Sequence, residues 1–256
     1  MEDTIKRLIT DYVKEYPKKE NTSTEWKKPL TAYADAQDPL FNKLKEVISP
    51  NHELPSELLE DARTVITFFL PFKEKINESN IEGRLSSRQW AVAYIETNQL
   101  IMAVNKYIQK ELNKRGYNST IIAATHNFRE DQLISDWSHR HAAYIAGLGT
   151  FGINNMLITA KGCAGRVGSI ITDLKLKPTK RPQKEFCIYK YNGSCKVCVE
   201  RCMVNALSEN PAEFNRFDCY EICLENEEYH KDLDLTDVCG KCCVNLPCTS
   251  QNPINQ

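Results

Sequence analysis

The sequence lacks a surplus of charge of either sign, an apolar run of membrane length and, through its first 186 residues, all cysteine but one. Thirty-three Lys and Arg face 34 Asp and Glu, a net charge of −1. No global basic field therefore points to nucleic acid, and DNA is not an expected partner. The opening MEDTIKRLIT has no apolar core of signal-peptide length, and no stretch could span a bilayer. Neither an internal repeat nor a low-complexity tract is present. The expectation is a soluble, cytoplasmic protein with no membrane partner.

What is present is segregated. The chain has 256 residues, enough for one large domain or two modest ones. Of its 11 cysteines, only Cys163 precedes Cys187; the rest lie between Cys187 and Cys248. That division predicts an α+β body over 1–178 and a small cysteine-built module over 179–256, with Pro178, Arg181 and Pro182 marking the link. In a reducing cytosol, metal ligation explains such a cluster better than disulfides do.

Along the body, apolar spacing predicts a helix over 3–16, followed by a Lys-rich, Pro-broken solvated loop. Val65 to Leu70 reads as a buried strand stopped by Pro71. Ser86 and Gln89 form a capping-box pattern before a long helix carrying Ile101, Val104, Ile108 and Leu112, ended by Gly116. Ile121 to Ala124 reads as a strand and Ser135 to Ala146 as a helix stopped by Gly147. Met156–Thr159 and Val167–Ile171 read as two strands of one hairpin, with Gly162 and Gly165 in its turn.

The stretch AGLGTFG places glycines at 147, 149 and 152, spelling G-x-G-x-x-G, and Asp173 follows 21 residues after Gly152. A dinucleotide site needs a strand before the first glycine and a helix after the last, so that the positive helix end meets the pyrophosphate. Here a helix comes first and a strand–turn–strand follows. The better reading is a helix stop at Gly147 and a close backbone approach at Gly149 and Gly152; a nicotinamide or flavin enzyme is the minor alternative.

The cysteines are spaced Cys187-x7-Cys195-x2-Cys198-x3-Cys202, then Cys219-x3-Cys223, then Cys239-x2-Cys242-Cys243-x4-Cys248. Bacterial ferredoxins use C-x2-C-x2-C-x3-C-P, whose fourth cysteine reaches the other cluster. This chain keeps the last three cysteines of that run, with Asn192 at the vacant first position and Met203 in place of the proline. There is sulfur for two four-thiolate sets: Cys187, Cys195, Cys198 and Cys248; and Cys202, Cys219, Cys239 and Cys242. Cys223 and Cys243 are then spare, with Cys223 an alternative to Cys219. Zinc held by two C-x2-C knuckles would leave six clustered cysteines unexplained. The segment 213–237 has nine carboxylates against Arg216 and Lys231, which reads as a solvated helical face or a docking surface for an electron donor.

DARTVITFFLPF (61–72), AGLGTFGINNMLIT (146–159), GRVGSIIT (165–172) and the cysteine order together resemble the epoxyqueuosine reductase family, whose relatives include the corrinoid reductive dehalogenases. The resemblance implies a cobalamin-binding-type α/β body followed by a ferredoxin-like module with two [4Fe–4S] clusters. It implies an oxidoreductase whose clusters feed electrons, from a donor such as a ferredoxin or flavodoxin, to a bound corrinoid that reduces a small-molecule or modified-nucleoside substrate. Gly147, Gly149 and Gly152, together with Asn154, Gly168 and Ser169, are the implied corrin-binding positions. The alternative is an electron-transfer or activator protein for a separate corrinoid partner; a zinc-stabilised interaction protein is a third reading.

The departures from the family pattern are local. Ile153 stands where the family has lysine. Leu133 falls on the place of the family's catalytic aspartate in its D-x-A-P-x-x-E-R run; Arg140 is retained, and His139 replaces the glutamate. Asp136, His139 and Asp131 are the candidate proton donors, with His141 a further possibility, because the reaction needs a carboxyl or imidazole within hydrogen-bond reach. Asp136 is expected at a helix start, and Cys163 is expected as a spare thiol. The chain ends eight residues after Cys248, where full-length family members continue into a helical-repeat domain. With no basic face, this sets the expectation against tRNA as substrate.

Overall fold

The computed structural model describes residues 1–125 and 128–254. In chain order, the first half runs α1 (Glu2–Glu20), β1 (Leu30–Asp35), α2 (Pro39–Val47), α3 (Pro55–Leu58), β2 (Thr64–Pro71), α4 (Glu74–Ser79), α5 (Arg88–Asn113) and β3 (Ser119–Ile121). There follow β4 (Phe128–Arg129), β5 (Ile134–Ser135), α6 (His139–Ile145), β6 (Gly149–Phe151), β7 (Leu157–Thr159) and β8 (Gly165–Thr172). The cysteine-rich part has α7 (Ile188–Asn192), α8 (Val197–Glu200) and α9 (Arg216–Tyr229), with single 3-10 turns at Pro211–Glu213 and Lys241–Cys243. The architecture is mixed α and β with small antiparallel sheets.

The main sheet has the order β1-β2-β8-β3, antiparallel throughout. β2 is buried along its whole length because both of its faces are covered, as its nearly unbroken apolar run TVITFFLP requires. Ile66, Phe68 and Leu70 face α1 and α5, meeting Ile9, Val13, Leu100, Ile101 and Val104. Val65 and Phe69 point the other way, toward Phe41 and Leu44 of α2 and Ala142, Ala143 and Ile145 of α6. The alternation of β2 thus builds a three-layer body.

The cysteine-rich part shares the first of these cores: Cys187, Cys198, Cys243, Val244 and Leu246 belong to the same buried cluster as α1 and α5. Backbone bonds tie the parts together, Cys163 N donating to Cys248 O at 2.9 Å and Ala164 N to Thr249 O at 3.0 Å. Gly162 permits this approach. Its φ is +79°, and a Cβ there would lie 2.2 Å from Thr249 O.

Several expected elements shift. The first helix runs to Glu20 through Pro17, and Thr24 and Trp26 beyond it are buried, so residues 17–28 are not a solvated loop; Trp26 Nε1 donates to Thr97 Oγ1. The cap of α5 is Ser87, whose Oγ accepts from Trp90 N, one residue after the expected Ser86. β3 ends at Ile121, so Ala123 and Ala124 lie past the strand. α6 starts after Ser138, whose side chain caps it; Asp136 therefore sits outside the helix. The expected hairpin of 156–159 with 167–171 does not form. β7 pairs with β6, whereas β8 joins the main sheet beside β2 and β3. Gly149 makes the first pairing possible, since a Cβ there would lie 1.9 Å from Ile158 O. Among the described residues, no helix is long and apolar enough to cross a membrane.

Candidate functional site

A cavity of about 490 Å³ opens between the body and the cysteine-rich part. The ends of β2 and β8, the first turns of α5, the start of α6 and the 154–157 loop supply one wall, and Cys202, Cys219, Cys223, Cys239, Cys242 and Cys243 stand on the other. Trp90, Tyr94, Phe128 and Trp137 make the body wall aromatic. A second, small apolar pocket is lined by Cys187, Cys195, Cys198 and Cys248 together with Ile153, Ile158 and Leu246. The two four-cysteine sets expected from spacing are therefore brought together at two separate places, with Cys223 and Cys243 beside the second. Cys163 also reaches that cavity, and its thiol points at Cys243 O, 3.8 Å away. None of the 11 cysteines is in a disulfide.

Among the described residues, no three of His, Cys, Asp and Glu converge closely enough to hold a single ion. Zinc draws four thiolates to about 2.3 Å and so within about 4 Å of one another, whereas a four-iron cluster spreads its thiolates around a larger core. On α9, Cys219 and Cys223 lie one turn apart and share a side-chain hydrogen bond that lowers the Cys219 pKa and raises that of Cys223.

The cysteine loop 239–243 is anchored to the body. Asn80 Nδ2 donates to Cys239 O at 2.9 Å. Lys241, only 1 % exposed, donates through Nζ to Asn80 O at 2.9 Å and Glu82 O at 2.7 Å. Arg201 binds Lys241 O and Ile81 O. Gly240 has φ +72° and lies flat on Trp90, where a Cβ would come within 2.3 Å of the indole ring. From the other side, Asn154 Nδ2 donates to Cys242 O at 2.8 Å. Asn154 thus borders both pockets, as a hydrogen-bond brace.

The glycines make their close approaches to the chain itself. A Cβ on Gly147 would meet Lys180 O at 2.9 Å, and one on Gly168 the Phe68 ring at 2.4 Å. Gly152, next to the small cysteine pocket, is closed by Asn154 Oδ1 at 2.5 Å. None of Gly147, Gly149, Gly152 and Gly168 lines the large cavity.

Of the expected acids, only His139 borders the cavity. Asp131 sits exposed at the tip between β4 and β5, where Leu133 adopts a φ of +52°. Asp136 pairs with Arg129 at 3.6 Å. His139 is engaged on both sides: Nε2 lies 2.8 Å from Ala123 O and Nδ1 2.7 Å from Ser169 Oγ, while Trp137 Nε1 donates to that Oγ at 3.1 Å. The carbonyl requires the proton on Nε2, so Ser169 accepts from Trp137 and donates to Nδ1. Burial pushes the His139 pKa down to about 4. The imidazole is neutral at pH 7, with neither nitrogen spare; Ser169 is its positioner rather than a cavity contact. His141 is likewise held down, to about 3, by burial, and its Nδ1 lies 2.8 Å from Ser138 Oγ.

Tyr94, Asp237, Arg140 and Arg166 also line the cavity. Tyr94 Oη donates to Asp237 Oδ1 at 2.6 Å, and Arg166 stacks on the Tyr94 ring at 4.3 Å. Burial raises the Tyr94 pKa to about 12. Sequence reasoning passed over Tyr94, Asp237 and Arg166. The only local signal was Asp237 standing two residues before Cys239, because Tyr94 reads as one more helix residue and Arg166 as one more strand residue.

No protein-family model and no curated protein matches this chain. Solved structures do. The structure of epoxyqueuosine reductase from Streptococcus thermophilus matches with a TM-score of 0.55 at 16% identity, over 93% of this chain and 65% of that one. Epoxyqueuosine reductase from Bacillus subtilis, with its catalytic loop swung out of the active site, matches at 0.55 and 18%, over 93% and 64%. An epoxyqueuosine reductase with an epoxyqueuosine-modified tRNA-Tyr stem loop matches at 0.51 and 18%, over 83% and 56%. The chain spans at most 65% of the length of these structures, and what it shares with them is the fold.

Proposed function

Taking the epoxyqueuosine reductase fold as premise, we propose that this chain is an iron–sulfur oxidoreductase in which two [4Fe–4S] clusters pass electrons to a corrinoid in the large cavity, for reduction of a substrate. The observation that carries the reading is the division of the cysteines between two places, Cys187, Cys195, Cys198 and Cys248 at the small pocket and the other seven, Cys202, Cys219, Cys239 and Cys242 among them, around the large cavity. Cys187, Cys195, Cys198 and Cys248 would hold one cluster, and Cys202, Cys219, Cys239 and Cys242 the other. The clusters supply single electrons, and the corrinoid supplies a strongly reducing cobalt centre.

The rest falls to the protein. Trp90, Tyr94, Phe128 and Met156 line the cavity and would offer apolar walls to a corrin face. Proton supply, expected of Asp136, His139 or Asp131, falls in this proposal to Tyr94 Oη, which keeps its proton at neutral pH and can be resupplied through Asp237. A modified nucleoside is the proposed substrate class, since one structural neighbour holds an epoxyqueuosine-modified tRNA stem loop; that neighbour leaves the expectation against tRNA without support. A ferredoxin or flavodoxin is the proposed electron donor.

One observation favours the second reading, an activator for a separate corrinoid protein. A cavity of about 490 Å³ matches a drug-sized ligand and is small for a whole corrinoid. Anaerobic titration with cobalamin separates the two. A saturable change in the cobalt spectrum near one equivalent supports the resident corrinoid. No spectral change in protein that carries its clusters would leave only the electron-transfer role. In the resident case, Tyr94→Phe should lower turnover of an epoxyqueuosine-bearing stem loop at least tenfold with cobalamin binding unchanged.

A further inference from the structure

α9 carries apolar side chains on both of its faces. The inner face sets Cys219, Ile222 and Cys223 against the large cavity, with Asn226 buried on the same side. Phe217, Glu221, Leu224 and Glu228, spaced four, three and four residues apart, form one stripe on the opposite side of the helix. Of the eight large apolar side chains that stand exposed among the described residues, four belong to α9 or the turn after it: Phe217, Leu224, Tyr229 and Leu235, each 40–63% exposed. Leu224, Leu233 and Leu235 line a hollow of about 330 Å³ between α9 and that turn. A helix apolar on both faces is ordinarily covered on both; here the outer stripe faces solvent.

The rim of this apolar face is acidic. Glu225 and Asp232 are committed to Arg84 and Arg88, and Glu228 to Lys231. Glu221, Glu227 and Asp234 have no cationic partner among the described residues. Glu227, Glu228 and Asp234 border the hollow, with Lys231 its single cation. An apolar centre inside a charged rim marks a protein-binding surface. These carboxylates repel a phosphate backbone and attract a basic protein surface. Beneath the stripe, one helix thickness away (about 10–12 Å), stands the Cys219 face.

Resting on the cluster reading above, we propose that the outer face of α9 and the 231–235 turn dock the electron donor, a soluble one-electron carrier protein whose docking face is basic around an apolar centre. One electron leaves the reduced carrier and enters the cluster held by Cys202, Cys219, Cys239 and Cys242; no bond forms or breaks. Electrons that enter here reach the cavity-side cluster first. The donor is thereby specified by its surface: lysines and arginines to meet Glu221, Glu227 and Asp234, and an apolar patch to cover Phe217 and Leu224.

The test uses cytochrome c, a basic one-electron carrier, as the probe, since a docking face serves electrons in either direction. The full chain, reconstituted anaerobically and reduced, is mixed with oxidised cytochrome c, and haem reduction is followed by stopped flow. The wild-type rate should fall about tenfold or more between about 20 and about 200 mM salt. Glu221→Lys with Glu227→Lys should slow the low-salt reaction at least tenfold, and Leu224→Ser should slow it several-fold at every salt concentration. Glu46→Lys with Glu60→Lys makes the same charge change on the body, beside the core on the far side of the main sheet, and should leave the rate within about twofold of wild type. With native iron content throughout, an unchanged rate in the α9 pair, or an equal loss in the body pair, overturns the proposal. A wild-type dimer in sedimentation that Leu224→Ser dissolves would make a second copy the occupant and overturn it too. A chain that takes up no clusters brings down the cluster reading and the proposal with it, and the iron assay tells that failure from the others.

Discussion

His139 carries its proton on Nε2 because Ala123 O allows nothing else, and that single constraint orders Ser169 and Trp137 behind it. The folded chain protonates this imidazole only near pH 4, the unfolded chain near 6.5, and His141 shifts in the same direction. Between those values the unfolded state binds more protons, so this contribution to stability is complete above about pH 6.5 and is lost as pH falls toward 4. Urea midpoints measured from pH 4 to 7.5 should rise and then level off, and His139→Asn should flatten part of the rise; a midpoint that is flat or falls with pH in the wild type contradicts the assignment. The cysteines divide in the same residue-by-residue way. Cys198→Ser and Cys202→Ser should each lower bound iron from about eight to about four per chain, the content of one [4Fe–4S] cluster, and each should spare a different EPR signal. Loss of all iron from both would mean the sets are not independent. At this scale the clustering of the cysteines was legible, because C-x2-C spacing is a local property. Tyr94 and Arg166 were not, because nothing beside them in the chain marks them as facing a cavity.

Among the elements, the loop 239–243 decides whether the cavity has a cysteine wall. Gly240→Ala would put a methyl into Trp90 and strain a left-handed backbone at once, which should destabilise the protein by about 1–3 kcal/mol and reduce cluster occupancy more than the change in thermal midpoint alone accounts for. Lys241→Met would leave the buried Asn80 O and the part-buried Glu82 O without their donor, a loss of about 1–3 kcal/mol readable as a lower urea midpoint. A midpoint unchanged from wild type would show that the Lys241 bonds do not hold the loop. β2 was legible in the sequence because its apolar run is continuous. β1 was not: LTAYAD carries small side chains, and its strand character comes from pairing with β2 across the register Leu30–Phe69 to Asp35–Thr64. The expected 156–171 hairpin failed for a related reason. Proximity in sequence favoured it, but Gly149 gives Leu157–Thr159 a tighter partner, and β8 gains burial on both faces by joining the main sheet.

For the whole molecule, the order of parts was readable and their joining was not. The cysteine-rich part does not stand apart from the body: it completes the core around α1 and α5, and the cavity exists only where the two meet. AGLGTFG, the most conspicuous motif in the body, is accordingly a packing device, its glycines admitting Lys180, Ile158 and Asn154. The function proposed for the chain depends on what the two groups of cysteines hold. The most direct measurement is iron and acid-labile sulfide in the full chain after anaerobic reconstitution. Two [4Fe–4S] clusters predict about eight of each per chain, with the broad visible absorption of iron bound to sulfur. Zinc at one or two equivalents without sulfide, or iron and sulfide near four with every cysteine intact, would contradict the account.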